Sequence, residues 1–270
     1  MPKRLIAVLS ALLVLLPARP VSAASAVPAG RPGAVWHVVR PGDTMASIAA
    51  AYGLRVADLR RWNQLAPQYP VHVDSTLRLN PPATSLPPWR TRVEAVTPAM
   101  VNWDARRLCP VQPVALRRVW VSYIDLQGAA HDGSVIVRQD VAARVQRIFM
   151  TLYNWRFRIM AMAPMSVNMA GQTDMSIVTA GYQCRPVAGT KVWSEHASGL
   201  AIDVNPLQNP MIRGSLVDPA PATLWLNRSH YRIGMIHAEG AAQAFVANGF
   251  AWGGGWRSLK DYMHFSTTNR

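Results

Sequence analysis

The sequence predicts an α+β protein of two unequal folded units, and three observations carry that reading. Residues 36–80 alternate strand-like and helix-like patterns in the order strand, helix, helix, strand. Residues 81–98 then gather Pro81, Pro82, Pro87, Pro88 and Pro98, a composition that makes a semi-rigid connector over 81–97. From residue 98 to 270, alternating apolar strands and an amphipathic helix share enough chain for one sizeable domain. Half of the 270 residues are hydrophobic and ten are Trp, which is a globular composition.

The first segment has the look of an export signal. Lys3 and Arg4 precede an apolar run from Leu5 to Leu16, and Val21-Ser22-Ala23 or Ala24-Ser25-Ala26 offers a small-residue cleavage site. A signal peptide is therefore expected over 1–23. The run is shorter than the roughly 20 residues a membrane span needs, so a retained anchor is the lesser reading. No Cys stands near the cleavage site, which argues against a lipid anchor. Residues 24–35, rich in Ala, Pro and Gly, read as a flexible leader. The formal charge of +14 falls by three when Lys3, Arg4 and Arg19 are removed. A secreted protein this basic is drawn to polyanions, and export favours the anionic cell wall over nucleic acid. The two cysteines, Cys109 and Cys184, leave a disulfide and free thiols equally open in an oxidising compartment. Cys184 as a nucleophile paired with a His is the weaker alternative.

In the small unit, Trp36–Val39 is strand-like and Pro41-Gly42-Asp43-Thr44 forms a turn that caps a helix. Met45, Ile48 and Ala49 give that helix its apolar stripe, and Gly53 ends it. Val56, Leu59 and Trp62 recur at helical spacing in a second helix, and residues 76–79 close the unit as a strand. The stretch WHVVRPGDTMASIAAAYGLRVADLRRWNQL, with V-x-x-G-D-T at its start and L-x-x-x-N at its end, resembles a LysM domain. The resemblance implies binding of N-acetylglucosamine-containing glycans such as peptidoglycan. It places the sugar between the loop Gly42, Asp43, Thr44, Met45 and the loop Asn63, Gln64, Leu65. One departure is Asn80, which stands between the last apolar residue of the closing strand and Pro81. The simpler reading of Asp43 and Asn63 is that they cap helices and fix turns while the loop backbones hold the sugar.

In the large unit, Val119–Ile124 and Ser134–Arg138 read as strands around a turn at His131-Asp132-Gly133. Asp140 is placed to cap a helix running to about Trp155. Its Val141, Val145, Ile148, Phe149 and Leu152 fall on one face. Met160, Met162 and Met165 are read as core and not as soft ligands for copper. Residues 205–210 form a loop, 211–234 are polar and irregular, and 235–248 read as a helix closed by Gly249. His230 and His237 are read as structural or exposed. Three consecutive glycines between Trp252 and Trp256 mark a backbone that passes close to something.

The chemistry concentrates at Trp193–Pro206, a turn leading into a buried strand. Leu200, Ile202 and Val204 point to one face, while Gly199, Ala201 and Asp203 point to a barer one that leaves room beside the strand. A buried carboxylate needs a partner. His196 at the strand's mouth and His264, within the cluster Asp261-Tyr-Met-His264, would complete a three-ligand metal site with an open fourth position. No His-Glu-x-x-His is present, which excludes the helix-borne zinc arrangement.

The pattern Ser194-x-His196-x-x-Gly199-x-Ala201-x-Asp203, followed by Asp261-x-x-His264, resembles the M15 family of zinc peptidases, with Cys184-Arg185-Pro186 in the expected order upstream. The resemblance covers 98–270 and implies a hedgehog-like α+β fold with an antiparallel sheet and one Zn²⁺. It implies His196, Asp203 and His264 as metal ligands, Asp261 as general base where many members carry Glu, and Arg185 as a substrate contact. Ser194 is read as a turn residue and not a nucleophile. Asp261 and His264 share a face only if the chain turns between them, because a flat strand would set them on opposite sides. The expectation is a secreted zinc peptidase of the periplasm or cell wall, acting on peptidoglycan stems as a D-alanyl-D-alanine carboxypeptidase. The alternatives are an L-alanyl-D-glutamate endopeptidase and, in another class, a non-catalytic wall-binding protein with a structural zinc. Partners are expected to be peptidoglycan, with no nucleic acid and no stable membrane insertion after signal cleavage.

Overall fold

A computed structural model describes residues 35–63, 65, 70–71, 76–81, 87–165, 175–229, 232–238 and 240–270. The expected signal peptide and most of the leader lie outside the described residues, as do Gln64 and His230. No helix among the described residues is long and apolar enough to cross a membrane.

The small unit has the expected order: β1 (Trp36–Val38), α1 (Met45–Ala51), α2 (Val56–Asn63) and β2 (Thr76–Arg78). The strands pair antiparallel, with Trp36 opposite Arg78. Thr44, not Asp43, is the N-cap of α1. Its hydroxyl accepts from the Ser47 amide while the Ser47 hydroxyl accepts from the Thr44 amide, a reciprocal cap that satisfies two otherwise orphaned donors. Met45, Ile48, Ala49, Leu59, Leu77 and Leu79 form a core of their own. Asn80 fits without shifting the strand, since its Oδ1 accepts from the Val35 amide at 3.0 Å.

The second unit begins earlier than the proline pattern suggests. β3 (Thr91–Ala95) lies inside the stretch read as connector and pairs antiparallel with β4 (Leu116–Ile124), which pairs in turn with β5 (Ala130–Arg138). Only one edge of β3 is bonded, so flanking prolines do not prevent its pairing. The hairpin turn is displaced from His131-Asp132-Gly133, which sit within β5. The chain reverses at 125–129 instead, where Asp125 Oδ1 accepts from the amides of Gln127 and Ala129. α3 (Ala142–Asn154) lays its expected stripe against the sheet, with Val145, Ile148, Phe149 and Leu152 all buried. Asp140 pairs with Arg138 and does not cap this helix.

Shorter elements complete the unit. β6 (Ala161–Met162) runs parallel to β7 (Val178–Thr179). β8 (Ala201–Asp203) follows a 3-10 turn at Glu195–Ser198. The region read as irregular contains a hairpin of β9 (Met211–Arg213) and β10 (Leu216–Asp218). The helix expected over 235–248 is shorter, with α4 at Ala241–Val246 and Gly240 at its N-terminus. β11 (Ala251–Trp252), β12 (Lys260–Asp261) and β13 (His264–Ser266) end the fold. Two three-stranded sheets result, β11-β13-β8 and β10-β9-β12. Phe245 of α4 stacks on Phe265 of β13 with ring centroids 3.8 Å apart and meets Phe149 of α3 at 6.3 Å. That aromatic column ties β13 to the main core.

Candidate metal centre

Strand register brings the first two site residues together. β13 pairs with β8 so that His264 lies directly opposite Asp203. On its other side Asp203 exchanges backbone hydrogen bonds with Ala180, at 2.9 and 3.0 Å, so its main chain is held between two neighbours. His196 arrives from the 3-10 turn capped by Ser194, whose hydroxyl accepts from the His196 amide, the turn role expected of that serine. Gly199 ends the turn at φ +66°, the left-handed region. A Cβ there would also sit 2.7 Å from the Arg138 amide nitrogen, so the bare face of this stretch is packed at Gly199 and opens only at Asp203.

His196 Nε2, Asp203 and His264 Nδ1 lie within 4.8 Å of one another, and all three residues are buried. Each ring is oriented from behind. His196 Nδ1 donates to the Gly181 carbonyl at 2.7 Å, and His264 Nε2 donates to the Arg270 carbonyl at 3.0 Å. Those bonds leave a lone pair on the opposite nitrogen of each neutral ring. Both lone pairs face Asp203, with His196 Nε2 3.1 Å from Oδ2 and His264 Nδ1 3.1 Å from Oδ1. Acceptors this close need a proton or a cation between them. Donors about 2.1 Å from one zinc ion in a tetrahedron lie about 3.4 Å apart, so the set fits such an ion. His196 Nε2 has no hydrogen-bond partner although it is fully buried, which agrees with that fit. Burial opposes the charge on Asp203, but His196 and His264 outweigh it and hold the carboxyl well below the ordinary carboxylate range. Burial likewise opposes charge on His264, while its hydrogen bond and attraction to Asp203 raise its pKa.

Asp261 reaches the same region because the chain bends at Tyr262 and Met263, the turn that sharing a face required. It is mounted in the other sheet, with Asp261 opposite Met211 of β9. Its Oδ1 is buried with no hydrogen-bond partner. Burial, then the negative charge of Asp203, pushes its carboxyl up to about 7, and His264 and Arg185 pull it only partly back. The glycine run explains part of this setting. A Cβ on Gly253 would lie 2.6 Å from the Asp261 carbonyl oxygen, so the backbone passes close to the acid itself. Trp252 Nε1 donates to the Tyr262 carbonyl at 2.9 Å and fastens the bend.

Arg185 is half-buried, and its Nε donates to Gln183 Oε1 at 2.6 Å. Its base is rigid. Cys184 is bonded to Cys109, which resolves the open cysteine reading and removes Cys184 as a nucleophile. Asn102 also clasps Cys184, accepting from its amide at 2.8 Å and donating to its carbonyl at 3.1 Å.

In the small unit the side chains of the expected glycan loops are already engaged. Asp43 accepts from the Arg40 amide at 2.7 Å and meets His37 Nε2 at 2.8 Å. Asn63 donates to the carbonyls of Leu59 and Arg78 and accepts from the Arg78 amide, pinning α2 to β2. Met45 is buried and Leu65 packs on the same core. Gly42 lies at the turn, the Thr44 amide and carbonyl are engaged by Ser47 and Ile48, and Gln64 lies outside the described residues.

Sequence reading missed the groups that orient the site: the carbonyls of Gly181 and Arg270, Asn102, and the pair Asn205 and Asn209. Asn205 is buried and ties Met160, Arg158 and Gly234 together, while Asn209 binds Val204, Asn205, Gly234 and Ile236. The available signal was two Asn in a buried-looking loop just after Asp203.

A buried His-Asp-His group that could hold a cation, with an acid beside it that lacks a hydrogen-bond partner, has the donor set of a metal-dependent hydrolase site. Comparison with known families narrows the class. Residues 188–267 match the M15 peptidase family described as D-alanyl-D-alanine carboxypeptidase, and residues 37–80 match the LysM domain. The chain thus carries a LysM domain followed by an M15 D-alanyl-D-alanine carboxypeptidase-type domain, the composition of a peptidase targeted to the cell wall. The peptidase match spans His196, Asp203, Asp261 and His264 and starts just downstream of Arg185. M15 peptidases are zinc-dependent. No curated protein and no solved structure matches the chain.

Proposed function

We propose that the protein is a secreted zinc peptidase that removes the terminal D-alanine from peptidoglycan stems, with residues 98–270 catalytic and residues 36–80 holding the glycan. The observation that carries the reading is the convergence of two histidine lone pairs and the Asp203 carboxylate on one buried point beside Asp261. His196, Asp203 and His264 would hold the ion, the two rings oriented from behind by the main-chain oxygens of Gly181 and Arg270. When bound, zinc supplies a Lewis acid that polarises the scissile carbonyl and acidifies water toward neutrality. Asp261 Oδ1 takes a proton from the attacking water and delivers it to the leaving amine, a role suited to a carboxyl whose proton affinity burial raises. Asp in place of Glu shortens the side chain by one methylene, and the tight passage of Gly253 against Asp261 supports a backbone set close to the metal. Arg185 offers fixed positive charge to the developing oxyanion or to a substrate carboxylate. In the LysM domain, the main chain of Gly42–Met45 and Asn63–Leu65 contacts the sugar. The carboxypeptidase choice follows the description of the matched family.

Mass spectrometry of defined muropeptides decides the matter. The expected result is loss of a single terminal D-alanine, abolished by exhaustive chelation and restored by zinc. Cleavage within the stem would make the enzyme an endopeptidase. A chain that binds one zinc but cuts nothing would be a wall-binding protein with a structural metal.

A further inference from the structure

We propose that Ser266 is a positioning residue of the metal centre, holding residue 270 so that the main-chain oxygen there locks the His264 ring and strengthens zinc binding. The inference rests on the zinc reading above and concerns how firmly this chain presents one of its three ligands. Ser266 lies two residues beyond His264 in β13, so both side chains leave the strand on the same face, while Phe265 between them enters the core. The serine is fully buried, opposite Ala201 of β8 on one side and Ala251 of β11 on the other. Neither alanine can bond its hydroxyl through a side chain, and a buried hydroxyl without a partner is costly.

Both bonds that the hydroxyl makes go to one residue. Ser266 Oγ donates to the Arg270 main-chain oxygen at 2.9 Å and accepts from the Arg270 amide at 3.1 Å. The same oxygen accepts from His264 Nε2 at 3.0 Å. Its two lone pairs are thus taken by two donors, one that fixes it and one that it fixes. The chain folds back this way because Asn269 turns it at φ +59°, a left-handed conformation that asparagine tolerates. The other histidine shows why the serine matters. His196 Nδ1 leans on the Gly181 carbonyl, and the amide of the next residue, Tyr182, is bonded to Ile136 of β5 at 2.7 Å. That acceptor belongs to the sheet framework. The Arg270 side chain is instead 76% exposed, and its guanidinium reaches Glu195 at 3.3 Å, a pair too open to water to hold the chain firmly. Without the serine hydroxyl the oxygen is free to move, the ring loses the bond behind it, and Nδ1 no longer keeps its aim at Asp203.

Two measurements test the lock: the zinc Kd, from competition with a chromophoric chelator, and the hydrogen-exchange rate of the His264 Nε2 proton, followed by NMR. Ser266→Ala should raise the zinc Kd about 10- to 100-fold, the cost typical of losing the partner behind a metal-bound histidine, and should speed that exchange. Ser266→Thr, which keeps the hydroxyl, should recover part of the affinity. A chain ended at Asn269 should match Ser266→Ala, and it carries the test if that variant does not fold. Arg270→Ala, which keeps the main-chain oxygen, should change Kd less than about threefold, as befits an exposed ion pair. Unchanged zinc affinity in folded Ser266→Ala, or a raised Kd with the Nε2 proton as protected as in the wild type, overturns the proposal. So does Arg270→Ala if it costs as much as removing the residue. If the wild-type chain takes up no zinc, the zinc reading fails separately, and exchange of the Nε2 proton in wild type and Ser266→Ala alone decides the lock.

Discussion

The metal centre and the glycan loops of the LysM domain use side chains in opposite ways. At the candidate metal centre the fold leaves polar atoms unspent: His196 Nε2 and Asp261 Oδ1 are buried without a hydrogen-bond partner, and three possible ligand atoms point at one another. In the LysM loops the fold has consumed its polar atoms. Asp43 is bound to His37 and the Arg40 amide, Asn63 is bound to both neighbours, and Met45 is core. An ion or a reacting bond is recognised by groups of a given chemistry, so the residue types betray the site. On the proposed reading a sugar meets the main chain of these loops, and the residue types report how the loop is held.

That contrast can be broken at its strongest point first. His196→Ala should lose stoichiometric zinc and all turnover, measured by metal analysis and muropeptide cleavage. It should also unfold more easily by about 3 kcal/mol, because Asp203 loses one of two compensating partners. Asp261→Ala should instead keep the metal and lower kcat by about 10² to 10⁴. Zinc loss in that variant would move Asp261 among the ligands. In the wild type, kcat/KM should fall toward acid pH as Asp261 takes up its proton.

A smaller effect has the opposite sign. A carboxyl whose folded pKa lies above its unfolded value favours folding below pH about 4 and loses that contribution as pH rises through about 7. Metal-free Asp261→Asn should therefore unfold at higher temperature than metal-free wild type at pH 8, on the order of 2 kcal/mol after allowance for partial exposure, and equally at pH 4. The smallest change is expected in the LysM domain. Asp43→Ala should alter binding to purified peptidoglycan less than about threefold, as the loss of a loop-fixing hydrogen bond would. Abolished binding in a folded variant would mean that the carboxylate itself reads the sugar.

Legibility followed the same division. The βααβ order of the small unit, the stripe of α3 and the spacing of His196, Asp203 and His264 all stand in the sequence, because periodicity and ligand type are local properties. Three features were not legible, for different reasons. The reversal at 125–129 depends on one Asp125 side chain capturing two amides, whereas His131-Asp132-Gly133 has the composition of a turn and lies in a strand. β3 was hidden among prolines because an edge strand needs only half of its backbone bonds. The orientation of the histidine rings depends on the Gly181 and Arg270 carbonyls, and a backbone carbonyl has no letter of its own.

The bend at Tyr262 and Met263 has a further consequence. It places His264 in the sheet β11-β13-β8, stacked through Phe265 on the core, and Asp261 in the separate sheet β10-β9-β12. Metal and acid are therefore carried on two mounts that can be adjusted independently. On the proposed reading, substitutions in the β9–β10 hairpin would retune the proton affinity of Asp261, and with it the pH range of the peptidase, while His196, Asp203 and His264 keep their geometry.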